Sequence, residues 1–198
     1  MTDRYSPTAA AIERMEQPPI TTGRLLLRRF ELEDAGEVRQ LADNRNLSKM
    51  TLNIPWPYGA GVAEQWIGTH ARNWTFRTSA SWAIIVAESQ TLVGAITLTW
   101  MNRSTAELGY WIGEPYWGRG YCSEAAGALI QFAFAELGIE RLVAEHLRSN
   151  PASGRVMQKT GMRQVGSARR RDRYRDRVDM DIFEIRKTPP AAPESETG

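Results

Sequence analysis

The stretch Glu107-Leu-Gly-Tyr-Trp-Ile-Gly-Glu-Pro-Tyr-Trp-Gly-Arg-Gly-Tyr-Cys-Ser-Glu-Ala-Ala126 organises the chain. Glu107 to Ile112 is rich in aromatic and β-branched residues, which predicts a strand. Glu114-Pro115 ends it, because proline cannot continue donating to a ladder. Trp117 to Cys122 then turns the chain, and Ser123-Glu124 supplies a capping residue and an early acid for a helix.

Gly118 and Gly120 permit φ > 0 and a close approach of a ligand to the backbone. Their amides, with the free N–H groups of the helix that follows, form a nest for an anion, and Arg119 adds a positive charge. A phosphate or diphosphate is the natural occupant. The same pattern also serves ordinary strand-to-helix turns, so the loop alone does not decide between a binding site and a connection.

The chain has 198 residues, 42% apolar and 24% charged, which predicts one soluble domain with a core large enough to need no staple. A single cysteine, Cys122, excludes an internal disulfide and fits a reducing compartment. No apolar run approaches the ~20 residues of a membrane span, and no secretory signal opens the chain, so the cytoplasm is the expected location. A formal charge of +2 is too small to make nucleic acid the expected partner.

Read in order, residues 1–19 form a polar, flexible or loosely packed lead-in. Residues 20–187 form the domain, and 188–198 a disordered tail. Ile20 to Phe30 predicts a strand and Glu31 to Asn44 a helix. Asn53-Ile-Pro-Trp-Pro-Tyr58 is either a rigid connector or a wall of a substrate pocket. Ala60 to Phe76 predicts one helix, with Trp66, His70 and Trp74 on a core-facing stripe. Ser81–Ala87 and Leu92–Trp100 predict a hairpin, continued by residues 105–112. After the helix from Cys122 to Leu137, stopped by Gly138, Arg141–Leu147 should run parallel to the strand before the crossover. Asn150-Pro151 leaves that strand for a short helix, Ala152–Lys159, and Arg163–Ser167 with Arg177–Arg186 close the sheet.

Three pieces in this order resemble the GNAT superfamily of acyl-CoA-dependent N-acetyltransferases. They are Glu107 to Ile112, Pro115 to Tyr121, and Asn150-Pro-Ala-Ser153 through Gly161-Met162. Within it the chain looks most like the ribosomal-protein N-terminal (alanine/serine) acetyltransferases. The resemblance implies an α/β (α+β) fold: a mixed, mostly antiparallel central sheet, splayed at strands 4 and 5, with helices on both faces. It implies acetyl-CoA as cosubstrate and no metal. Backbone groups of Tyr110, Trp111 and Ile112 would pair with the pantetheine arm. The amides of Trp117, Gly118, Arg119, Gly120, Tyr121 and Cys122 would hold the diphosphate. Asn150 would help fix the arm, and Ser153 would stand near the sulfur.

The chemistry of the residues agrees. An amine must be neutral to attack, so a proton must leave it, and the departing thiolate must gain one. Direct transfer gains mainly from holding two substrates in line. The candidate catalytic set is Glu107, Ser153 and Asn150. Glu107 is either a base or a strand-end acid in a salt bridge, and Ser153 is either a proton donor or a helix cap. His146 reads as a core residue. Asp172 and Asp176 lie in an arginine-dominated loop that makes an acid role there doubtful. Cys122 has no chemical role in direct transfer and reads as structural. Arg169 to Arg177 is either a solvated hairpin or a contact for an acidic protein, RNA or the cofactor's 3′-phosphate.

Two other function classes compete with the enzyme: a non-catalytic acyl-CoA-binding regulator and a P-loop nucleotide binder. The second fails because no Gly-Lys-Ser/Thr follows the loop. The acceptor is a primary amine, expected to be a protein N-terminus, with an amino acid, polyamine or aminoglycoside as alternatives. The oligomeric expectation is a monomer or homodimer.

Overall fold

The computed structural model describes residues 16–174 and 176–188. Eight strands form one sheet: β1 (Ile20–Thr21), β2 (Leu25–Arg29), β3 (Ser79–Val86), β4 (Thr91–Trp100), β5 (Thr105–Ile112), β6 (Arg141–Leu147), β7 (Arg163–Arg171) and β8 (Arg177–Arg186). Their order is β1-β2-β3-β4-β5-β6-β8-β7. Every pair is antiparallel except β5 with β6. That exception follows from the connection: only a crossover helix can bring the chain back to start a parallel neighbour.

The helices are α1 (Ala35–Ala42), α2 (Arg45–Lys49), α3 (Val62–Gly68), α4 (His70–Thr75), α5 (Tyr121–Glu136) and α6 (Pro151–Lys159). Alternation along the strands divides the core between two faces. Leu25, Leu27, Trp82, Ile84, Ile96, Leu98, Leu108 and Leu142 pack with Leu129, Ala133 and Met157 of α5 and α6. Ala83, Ile85 and Ala95 pack on the other face with Val38, Ala63, Ile67 and Tyr58. The crossover helix α5 is buried through Ala125, Ala126, Leu129, Ile130 and Ala133 and stops before Gly138, at φ 68°.

Several expectations shift. The helix expected over residues 60–76 is two helices, broken at Thr69. The Thr69 hydroxyl takes the Trp66 carbonyl at 2.7 Å, and the Thr69 amide bonds the same carbonyl, so the ladder tightens and turns there. The last strand pair is longer than expected on its first side, because β7 runs on to Arg171. The lead-in is anchored from Gln17, whose side-chain amide donates to Ser81 O. Pro18 O accepts the indole N–H of the fully buried Trp82. A buried indole donor needs an acceptor, and the chain before β1 provides it. Residues 1–15 of the expected lead-in and 189–198 of the expected tail lie outside the described residues. Among the described residues no helix is long and apolar enough to cross a membrane.

Candidate active site

The parallel pairing of β5 and β6 lasts for three residues, Thr105↔Arg141, Ala106↔Leu142 and Glu107↔Val143. Beyond Glu107 the two strands part. Backbone groups of β5 up to Ile112 face a gap instead of a neighbour, and they need other partners. The gap opens into a cleft of about 920 Å³, lined by residues 107–112, the loop at 116–123, the end of β6, α6, and the segment 50–55.

At one end lies the glycine loop. Gly118 and Gly120 have φ +77° and +81°, and Gly120 is the N-cap of α5. A Cβ on Gly118 would meet nothing within 4 Å, so the space above the loop is open. No side chain caps the first turn of α5, which leaves its amides for an anion. The acid in that turn would repel one, but Glu124 is turned away. It is ion-paired to Arg24 at 2.7 Å and accepts the Thr22 hydroxyl at 2.6 Å. Arg24 also donates to Arg119 O and stacks over Tyr121, tying the loop to the start of β2. These features fit the diphosphate of a coenzyme A thioester. Arg119 itself stacks on Tyr116 and donates to Pro115 O, and the Trp117 indole donates to Ile112 O at 2.6 Å.

Tyr110 and Ser153 meet across the gap. The Tyr110 hydroxyl donates to Ser153 O at 3.0 Å and accepts from Ser153 Oγ at 3.1 Å. Burial drives the Tyr110 pKa well above its ordinary value, so this hydroxyl stays neutral and orients Ser153. The cap of α6 is Asn150, whose Oδ1 accepts the Ser153 amide, while its Nδ2 donates to Met50 O at 3.0 Å. The capping role considered for Ser153 therefore belongs to Asn150. Cys122 is held as a thiol by burial, which raises its pKa strongly and leaves it a poor nucleophile.

The other side of the cleft is polar and acidic. Strand register sets Thr97, Thr99, Glu107 and Gly109 on one face of the sheet, opposite to the face of Tyr110. Glu107 is open to the cleft. Protein packed around its carboxylate raises its pKa; Glu145 raises it further and Arg170 partly offsets this. Glu145, in β6, is clamped by Arg170 of β7 through two bonds of 2.9 and 2.5 Å. His146 points to the α6 side. Its Nδ1 donates to Leu147 O at 2.8 Å, and a Cβ on Gly154 would come within 2.7 Å of Nε2. It is a packed core residue, as expected, and α6 can lie this close only with glycine at 154.

A roof crosses the cleft. Arg173, from the turn between β7 and β8, donates to Ser48 O, Thr51 O and Leu52 O and to the Ser48 hydroxyl. Tyr174 donates to Trp56 O, beneath the stacked Arg173. The segment after α2 is thereby joined to the arginine-rich turn and, through Asn150, to α6. Asp172 accepts the amides of Tyr174 and Asp176, so it shapes this turn.

The structure thus brings Glu107, Tyr110, Trp111, Ile112, Trp117, Gly118, Gly120, Tyr121, Cys122, Asn150 and Ser153 around one cleft. Arg119 stands in the same loop, facing Tyr116. Sequence reasoning missed Arg24, Glu145, Arg170 and Arg173 as parts of the site. Only the arginine run carried a signal. Its solvated reading holds for Arg169, an exposed side chain paired to Asp179, and fails for Arg173, which bonds the roof carbonyls; Arg170 is half-exposed while gripping Glu145.

Residues 24–163 match the acetyltransferase (GNAT) domain family, and the chain belongs to that family. It is similar to the uncharacterised N-acetyltransferase YnaD of Bacillus subtilis, at 31% identity over 148 residues, 74% of this chain and 84% of the relative. A Vibrio cholerae structure described as a candidate ribosomal-protein-serine acetyltransferase superposes with TM-score 0.74 and 28% identity, covering 86% of this chain and 98% of that one. RimL, a ribosomal α-N-protein acetyltransferase solved with coenzyme A, shares the fold, with TM-score 0.75 and 18% identity over 85% and 98% of the two chains. The protein is an acetyltransferase with the mixed α/β fold of this family.

Proposed function

We propose that the protein moves an acetyl group from acetyl-CoA to a primary amine by direct transfer, with the α-amine of a protein N-terminus, of the ribosomal-protein type, as acceptor. The observation that carries this reading is the parting of β5 and β6 beyond Glu107, between a glycine loop and an acidic floor. The ribosomal acceptor is supported by the Vibrio cholerae relative and by RimL.

Acetyl-CoA, when bound, supplies an activated thioester. The amides of residues 117–122 bind its diphosphate, and the backbone edge of Tyr110 to Ile112, apart from the Ile112 carbonyl that the Trp117 indole takes, orients its amide arm. Asn150 acts at one remove, since both ends of its side chain are engaged in fixing α6 and the roof. On the floor, Glu107 accepts the amine's proton, and a raised carboxylate pKa makes it a better holder of that proton near neutrality. Ser153 Oγ, placed by Tyr110, releases that bond to pass its proton to the departing sulfur and takes one back from the nitrogen of the tetrahedral intermediate. The roof from Ser48 to Trp56 excludes water and limits acceptor girth.

Free thiol release from acetyl-CoA, measured against N-terminal peptides of ribosomal proteins, polyamines, amino acids and aminoglycosides, tests the reading. Peptides should give kcat/KM at least about tenfold above the small amines. Faster turnover of a small amine would replace the acceptor, and no thiol release with any amine would replace the reaction.

A further inference from the structure

The floor contains more charge than a single base requires. Glu145 lies on the same face as Glu107, two residues past Val143, the last β6 residue paired with β5. Its side chain is 17% exposed and is gripped by Arg170 through both guanidinium bonds described above. Two carboxylates and one guanidinium therefore share the acceptor side of the cleft, with one negative charge in excess when all are ionised. Glu145 and Arg170 are the charged groups that shift Glu107. The Arg141–Glu184 ion pair shares this face but pairs with itself at 2.7 Å, Arg173 of the roof is bonded to backbone carbonyls, β4 contributes the neutral Thr99, and residues 50–55 carry no charge. Arg155 and Lys159 line the α6 side of the cleft.

We propose that Glu145 and Arg170 are a positioning pair for Glu107: the guanidinium holds Glu145 against the floor so that its charge governs when Glu107 is ionised. The inference rests on the reading of this floor as the acceptor side. The pair works by opposition. Glu145 favours the protonated form of Glu107 by like-charge repulsion, and Arg170 limits that effect while preventing Glu145 from swinging into water. The excess charge also suits an acceptor that arrives as an ammonium ion, hands one proton to Glu107, and attacks as the neutral amine.

The test is an NMR pH titration of the side-chain carboxyl carbons in protein labelled with ¹³C-glutamate, Glu107 being identified by its loss in Glu107→Gln. The wild-type midpoint should lie above the ~4.3 of an ordinary glutamate. Glu145→Gln keeps the shape and removes the charge, so the midpoint should fall by about half a pH unit or more. Arg170→Gln should raise it by a similar amount. A midpoint that stays put in both variants, or moves the same way in both, overturns the proposal. A merely structural role for the pair would not produce opposite shifts. The acidic limb of the pH–rate profile should follow, changing the rate at a fixed pH on that limb by about threefold in opposite directions. If the NMR midpoints move oppositely while the limb stays fixed, the electrostatic coupling stands and the assignment of Glu107 as base fails.

Discussion

His70 → Phe should make the protein less sensitive to acid. His70 is 7% exposed and sits among aromatic rings, 4.5 Å from Trp66 and 5.3 Å from Phe30, with neither ring nitrogen hydrogen-bonded. Burial lowers its pKa to about 4, from 6.5. The folded state therefore resists protonation while the unfolded chain accepts it. The stability tied to neutral His70 is complete above pH 6.5 and is lost progressively as pH falls towards 4. At about 1.36 kcal/mol per unit, the loss at pH 4.5 comes to about 2.5 kcal/mol. Phenylalanine keeps a ring in the nest and cannot titrate. Its different size adds a constant offset, and the other titrating groups are common to both proteins, so only the pH dependence is diagnostic. Urea unfolding between pH 7 and 4.5 should cost the wild type about 2.5 kcal/mol more than the variant. Parallel stability curves would refute the reasoning, by showing that His70 is protonated or solvated in the native state.

Other variants probe the cleft itself. Valine at both Gly118 and Gly120 puts β-branched residues at φ +77° and +81°, which costs about 1–2 kcal/mol each. Calorimetric affinity for acetyl-CoA should fall at least about tenfold, or about 1.4 kcal/mol, and unchanged binding in a folded protein would remove the loop from the cofactor site. Arg173→Met cuts the bonds to Ser48, Thr51 and Leu52. It should cost about 2–3 kcal/mol and lower the melting temperature by about 5–10 °C, whereas a change under about 2 °C would mean the roof is held otherwise. Glu107→Gln should lower turnover by about 10² to 10⁴ at nearly constant acetyl-CoA affinity and remove the acidic limb, with Ser153→Ala costing less because water can replace a hydroxyl. A nearly silent Glu107→Gln would mean that the amine arrives neutral, and the rate would then climb along the acceptor's own titration.

The glycine-loop end of the cleft was legible because its physics is local. Glycines at 118 and 120, the proline at 115 and the helix start at 121 lie within a few residues of one another, and turn chemistry is short-ranged. The parallel strand was legible because a single helix between two strands is the usual crossover that makes neighbours parallel. The acceptor side was not. Glu145 and Arg170 become neighbours only because β8 inserts between β6 and β7, a pairing that joins residues far apart in the chain. Arg173 finds its acceptors more than a hundred residues earlier, at carbonyls that no side-chain motif advertises. Thr69 was invisible for a subtler reason. A threonine inside an apolar period reads as helix, and its hydroxyl competes for a backbone carbonyl only once the geometry exists.

The parallel pair does more than admit a helix. Because β5 and β6 run the same way, both end at the same edge of the sheet, and the helix that follows each begins there. The N-termini of α5 and α6 therefore both point into the gap that opens beyond Glu107. An antiparallel pair would have sent one of them to the opposite edge. Their first turns are treated differently. On α5 the amides are left uncapped, with Glu124 pulled aside by Arg24, which suits a charged diphosphate arriving from solution. On α6 the Ser153 amide is closed by Asn150 and the Ser153 hydroxyl is bonded to Tyr110, so this end holds a fixed, neutral side chain instead. One change of strand direction thus sets an uncapped helix end and a capped one at the same gap. The acidic floor, on the opposite face of β5 from Tyr110, can reach those ends only where the strands have separated.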